Sequence, residues 1–256
     1  MTLASLWRSF LAASSMFTRL PAWRLASLTK EDYEHTIDWW PVIGLITGGV
    51  MAGVFLASSY IYSSLIALLL AMAARLILTG AFHEDGLGDF FDGFGGGRSR
   101  EQILSIMKDS HVGSYAVIGY VLYYLLFVSV CLSLPVHIIP VVLLSSDVFA
   151  KFVSSLQVQF LPYARTSETS KTGVVYKPSR LIPLVLSVVL AIGLPALLLS
   201  PYMLTAFILP LLVGVALMGY IRRRIGGYTG DCCGAIFLLT ELTCLLSIVS
   251  VIRIYG

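Results

Sequence analysis

Charge is scarce in this sequence: Asp, Glu, Lys and Arg make up only 12% of its 256 residues, against 57% hydrophobic ones. A soluble domain carries roughly twice that charged fraction. A soluble core has no means of burying so much apolar surface, so the bilayer must solvate much of the chain. The net charge of +3 is unclustered and leaves no footprint for nucleic acid. Cysteine is equally sparse. Cys131, Cys232, Cys233 and Cys244 lack zinc-ligand spacing, which excludes a zinc finger or a disulfide scaffold and leaves them as reduced packing residues. Arg8 interrupts the first apolar run, so the N-terminus is not read as a cleavable signal. Low-complexity tracts, internal repeats and soluble domains are also missing. The expectation is one membrane domain over 1–256, with 1–39 an N-terminal segment and 40–256 carrying the transmembrane helices.

Apolar stretches are what the chain has in abundance. Runs long enough to cross the hydrocarbon, about 17–25 residues each, fall at 40–61, 64–82, 114–134, 138–160, 181–199, 202–221 and 233–254. The connections at 62–63, 135–137 and 200–201 are short and uncharged, whereas those at 83–113, 161–180 and 222–232 are longer and polar. Fourteen of the 17 basic residues fall in the N-terminal segment and the three polar connections, which all lie on one side if there are seven spans. By the positive-inside rule the N-terminus is then cytoplasmic and the C-terminus external. The first two spans could alternatively form a re-entrant pair. Leu3, Leu6, Trp7, Phe10, Leu11 and Phe17 recur at helical spacing, which suits an amphipathic helix in the membrane interface or an ordinary surface helix.

The stretch from His83 to Gly93 is the most informative. Asp85, Asp89 and Asp92 stand at i, i+4 and i+7, on one helical face. Three carboxylates there repel one another unless a cation lies between them, and hard oxygen ligands in small number suit Mg²⁺ or Mn²⁺ that keeps waters and substrate phosphates. A solvated acidic helix end is the plainer reading, but it does not account for the neighbouring glycines Gly93, Gly95, Gly96 and Gly97, which would let backbone approach an anionic ligand. Aspartates on a membrane helix with Mg²⁺ point to diphosphate chemistry, in which the metal stabilises the leaving group.

Other polar residues collect at the same membrane face. Asp109 and Ser110 either cap the third span or join the site. Asp231 follows Gly230 at the mouth of the last span. Glu241 lies ten residues further, roughly 15 Å deep by helical rise, where a carboxylate is costly and functional by default. Asp147 and Lys151, at i and i+4, are expected to pair, and Arg75 needs an anionic partner. Basic groups near Arg98/Arg100 and Arg165/Lys171 could clamp a substrate, and His83 could orient one. A prenyltransferase, a CDP-alcohol phosphotransferase or, in another class, a transporter remain as alternatives. Asp85-Gly86 lacks the Ala-Arg of the CDP-alcohol pattern, only Asp231 could supply a prenyltransferase's second aspartate helix end, and no matching interrupted spans mark a transporter.

The run Gly80-Ala81-Phe82-His83-Glu84-Asp85-Gly86-Leu87-Gly88-Asp89-Phe90-Phe91-Asp92-Gly93 resembles the signature of the cobalamin synthase family, the adenosylcobinamide-GDP ribazoletransferases. Further matches follow in order: Met107-Lys108-Asp109-Ser110-His111-Val112-Gly113, Leu161-Pro162-Tyr163-Ala164-Arg165, and Gly227-Tyr228-Thr229-Gly230-Asp231 with Gly234, Ala235 and Glu241. Phe17-Thr18-Arg19-Leu20-Pro21 fits the family's opening. Departures are Cys232-Cys233, where a polar and then an apolar residue is usual, and Gly88 in place of Ala. The resemblance implies an enzyme of cobalamin assembly in the cytoplasmic membrane, acting alone or beside other assembly enzymes. It would join adenosylcobinamide-GDP to α-ribazole, or its 5′-phosphate, and release GMP. Asp85, Asp89 and Asp92 would hold Mg²⁺, and Glu84, Asp231 or Glu241 would be the base. Substrate contacts are expected from His83, Gly95, Gly96, Arg98, Asp109, Arg165 and Thr229.

Overall fold

Helix α1 (Leu3–Phe17) is capped by Thr2, whose hydroxyl accepts the Ser5 N–H. Its apolar residues divide: Leu3 and Trp7 stay exposed, whereas Leu11 and Phe17 are buried with Ser9, Ala12, Ala13 and Ser14. The helix therefore lies on the protein with an apolar edge outward. A computed structural model, describing residues 2–165 and 173–255, supplies these coordinates. Lys171 lies outside the described residues.

Reciprocal bonds between Thr29 and Asp32 start the short α2 (Lys30–Glu34). Nine further α-helices follow among the described residues: α3 (Trp40–Ser59), α4 (Ser64–Thr79), α5 (Phe82–Gly96), α6 (Arg100–Ile106), α7 (Ser114–Leu132), α8 (Ile139–Phe160), α9 (Leu181–Leu198), α10 (Ile208–Ile225) and α11 (Gly230–Tyr255). Among the described residues six segments are long and apolar enough to cross a membrane, and the pair α4–α5, bent by 91°, counts as a seventh if it is one span. Helices α8 and α11 form the centre, 67% and 61% buried over their apolar windows, while α9 is only 22% buried and turns Leu, Ile and Val side chains outward.

One expectation is corrected. The span expected at 64–82 stops at Thr79, and the aspartates occupy a separate helix almost perpendicular to it. Gly80 and Ala81 both adopt left-handed backbone, with φ of 67° and 58°. For Ala81 that costs about 1–2 kcal/mol, so surrounding structure must hold it. The Arg19 N–H donates to the Leu78 carbonyl at 2.7 Å. Its guanidinium covers Gly80, where a Cβ would lie 2.6 Å from Nε. The N-terminal Phe17–Pro21 motif thus buttresses the bend. The sharp bend thus lies between α4 and α5 and not between the first two spans.

The charges at membrane depth meet in one network. Lys151 pairs with Asp147 as the i, i+4 spacing foretold, and its Nζ also donates to the Thr47 hydroxyl at 2.9 Å. Arg75 finds Glu241 at 2.5 Å, Asp147 at 3.7 Å and Glu84 at 3.8 Å. The Tyr123 hydroxyl donates to Glu241 at 3.3 Å. Removing one partner of such a pair strands a buried charge, at about 3–5 kcal/mol. Arg75→Met should therefore lower thermal stability in detergent by that order, and Arg75→Met with Glu241→Gln should recover much of it. A double variant no more stable than the single one would contradict the pairing.

Candidate active site

The three aspartates share the expected face of α5, and all three border a cavity of about 470 Å³ with Lys108, Asp109, His111 and Tyr120. Their duties differ. Asp85 is exposed and Asp89 half-buried, but Asp92 reaches the start of α7, where its two oxygens accept the Gly113 N–H at 2.7 Å and the Ala116 N–H at 2.9 Å. This carboxylate, not Asp109 or Ser110, caps the third span, and the positive helix end suits its charge. Among the described residues no three His, Cys, Asp or Glu side chains already stand at metal-holding distance, and Asp92 is engaged by α7. Two carboxylates opening on a cavity are a donor set that fits Mg²⁺, which takes few protein ligands and completes its shell with water and phosphate.

Helix α11 supplies the neighbouring wall. It crosses α5 so closely that a Cβ at Gly86 would sit 3.0 Å from the Asp231 Cα, and one at Gly234 would sit 2.9 Å from the His83 carbonyl oxygen. Asp231 and Asp85 consequently line one smaller hollow of about 220 Å³, with Tyr163, Arg165 and Thr229. Thr229 is nearly fully buried, and its hydroxyl accepts the Cys232 N–H at 3.3 Å in the first turn of α11. Just before it, the Ala164 N–H donates to the Tyr228 carbonyl at 2.8 Å and the Tyr228 N–H to the Pro162 carbonyl at 2.9 Å. Any side chain at Gly227 would collide with the Pro162 oxygen.

The basic residues are mostly fasteners. Arg100 donates to the carbonyls of Ile225 (2.9 Å) and Ala164 (2.6 Å), and Arg165 to that of Leu104 (3.1 Å). Arg165 still faces two hollows. Arg98 is exposed and lines none of these cavities.

Five further expected site residues border none of these hollows. Gly95 and Gly96 are exposed beside Tyr115, and Gly93, Gly95 and Gly97 make room for Met107, Tyr115 and Ile103. The glycine run serves packing against α6 and α7. His83 is buried among Phe17, Trp40 and Phe237, ring centroids 6.1, 5.5 and 5.0 Å away. Glu241 belongs to the ionic network, and Glu84, 3.8 Å from Arg75, borders a further hollow of about 550 Å³ with Asp85 and Tyr120.

Sequence reasoning passed over Lys108, His111, Tyr120 and Tyr163, although motif segments contained three of them. His111 Nδ1 lies 2.6 Å from Asp109 Oδ1 on the exposed rim. That hydrogen bond and the adjacent negative charge raise the imidazole above its ordinary pKa and depress the Asp109 carboxyl. The Tyr120 hydroxyl donates to the Glu84 carbonyl at 2.8 Å and fills the space a side chain at position 88 would need, which accounts for Gly88.

Segments 80–93, 107–113, 161–165 and 227–231 therefore converge on one face, with 17–21 bracing the bend. The sequence model of the cobalamin-5-phosphate synthase family matches residues 9–249. The chain belongs to that family. A relative from Shewanella frigidimarina (strain NCIMB 400), named adenosylcobinamide-GDP ribazoletransferase, is 35% identical over 246 residues, covering 94% of each chain. Proteins of that name from Leptospira biflexa serovar Patoc (strain Patoc 1 / Ames), 33% identical, and Shewanella pealeana (strain ATCC 700345 / ANG-SQ1), 35% identical, each match over 93% of both chains. No solved structure matches.

Proposed function

We propose that the protein is a membrane-embedded adenosylcobinamide-GDP ribazoletransferase. What carries the reading is the meeting of Asp85, Asp89 and Asp231 with Lys108 and Arg165 in adjoining hollows, built from the segments that carry the family resemblance. The named relatives support it over almost the whole chain.

The nucleophile is the 3′-hydroxyl of α-ribazole or its 5′-phosphate. It attacks the phosphorus attached to cobinamide, forming a new P–O bond. The bond from that phosphorus to the bridging oxygen breaks, GMP leaves with the oxygen, and the hydroxyl proton passes to a base. Asp85 and Asp89 would hold Mg²⁺, which neutralises diphosphate oxygens and leaving-group charge when bound. Asp92 keeps α7 docked against the cavity. Asp231 stands at the cavity wall, suited to the proton. Glu84 and Glu241, held by Arg75, are supports rather than bases.

Asp85→Asn and Asp89→Asn should each lower GMP release about 100- to 1,000-fold while the protein stays folded in detergent. Asp92→Asn should cost mainly stability, on the order of 1 kcal/mol at a helix cap. Near-normal turnover of Asp89→Asn at ordinary Mg²⁺ would sink the assignment.

The site is proposed to face the cytoplasm from the inner membrane, on the strength of the basic connections. A cysteine replacing exposed Arg98 should then react with impermeant reagent only from inside, and one replacing exposed Tyr255 only from outside. Labelling of position 98 from outside would reverse the orientation.

A further inference from the structure

Beside the carboxylate cavity runs a second trough of about 500 Å³, lined by Arg100, Glu101, Leu104, Lys108, Tyr163 and Arg165 among others. Lys108 borders both this trough and the carboxylate cavity. Its backbone N–H closes the last turn of α6 on the Ser105 carbonyl at 3.1 Å, which sets the side chain where the two hollows meet.

The three cations of the trough are not equivalent. Arg100 and Arg165 spend donors on main-chain carbonyls, as described, although the Arg165 Nε–H is buried without a partner. The acid present, Glu101, lies 4.0 Å from Arg100. Lys108 is exposed, and among the described residues it has no carboxylate within ion-pair distance. The trough therefore offers an uncommitted ammonium at the junction, the guanidinium of Arg165 along one wall, and the flat or apolar surfaces of Tyr163 and Leu104. A phosphate joined to a planar base matches that order of features.

We propose that this trough is the subsite of the nucleotide leaving group, with Lys108 on its phosphate. The inference rests on the transfer reading above. When the bond between phosphorus and the bridging oxygen breaks, that oxygen stays with the nucleoside monophosphate, whose phosphate gains one negative charge. The charge develops at the boundary between the carboxylate cavity and the trough, where the Lys108 ammonium stands. A cation fixed there interacts more strongly with the departing phosphate than with the intact diester, so it lowers the barrier as well as binding the substrate.

Equilibrium dialysis of the purified full-length protein in detergent with EDTA, using GMP and guanosine as probes, isolates the trough from the metal. Lys108→Gln should weaken GMP binding about ten- to a hundredfold, the range of a charge-assisted hydrogen bond, and leave guanosine binding unchanged. Lys108→Arg should keep most of the affinity, and Arg223→Gln, an exposed loss of equal charge on α10, should bind as wild type. In turnover, GMP should compete with adenosylcobinamide-GDP and not with α-ribazole. Unaltered GMP binding by Lys108→Gln, or competition only against α-ribazole, overturns the proposal. If the unsubstituted protein releases no GMP from its two substrates yet loses GMP binding on Lys108→Gln, the transfer reading fails while the nucleotide site stands.

Discussion

Helices α5 and α11 touch main chain to main chain, and the site depends on that crossing. At Gly86 and at Gly234 there is no room for a side chain: a Cβ would stand 3.0 Å from Asp231 or 2.9 Å from the His83 carbonyl. Close approach through small residues is how helices gain packing inside a bilayer, where no hydrophobic force drives them together. Here it has a chemical consequence. Helix α11 rises from the heart of the bundle, and α5 lies across its first turn because the backbone reverses sense at Gly80 and Ala81. Asp85 and Asp231, far apart in the chain, thereby share one wall.

The same crossing divides the acids by function. Glu84 and Asp85 are neighbours in sequence, but successive residues of a helix point about 100° apart. Glu84 consequently turns into the bundle toward Arg75, while Asp85 opens on the cavities. The deep charges satisfy one another: Glu241 has a cation at 2.5 Å and a hydroxyl at 3.3 Å, and Lys151 has Asp147 and Thr47. None of the hollows described above is bordered by Glu241, Asp147 or Lys151. Buried ions so arranged fix helices against each other at considerable desolvation cost. They are poorly placed to pass a solute, which speaks for a transferase over a transporter.

Much of this was readable from residue spacing. The common face of Asp85, Asp89 and Asp92 follows from the helical repeat, as does the Asp147–Lys151 pair. That Arg75 needs an anion was plain from its depth, but its partner lies 166 positions away, and no local pattern reports such a contact. The bend was hidden because Gly80-Ala81 fits a continuing helix as readily as a left-handed reversal. The glycines after Asp92 are ambiguous for a similar reason: a missing side chain looks the same whether the space is for a ligand or for Met107, Tyr115 and Ile103. Spacing gives the face of the Asp92 carboxylate and not the N–H groups that meet it on another helix. Lys108 drew no notice, since an exposed lysine at the end of a short helix is ordinary until two cavities are seen to meet there.

The central claim is that these hollows bring a nucleotide-activated diphosphate and a ribose hydroxyl together for direct transfer. Its most direct measurement is made on the purified protein in liposomes, given adenosylcobinamide-GDP, α-ribazole and Mg²⁺, with GMP and the joined product quantified together. The account predicts one GMP for each new phosphodiester, and no GMP when α-ribazole is left out. GMP released without a joined product would mean hydrolysis, and solute movement with no GMP at all would mean a pathway. Either result would contradict it.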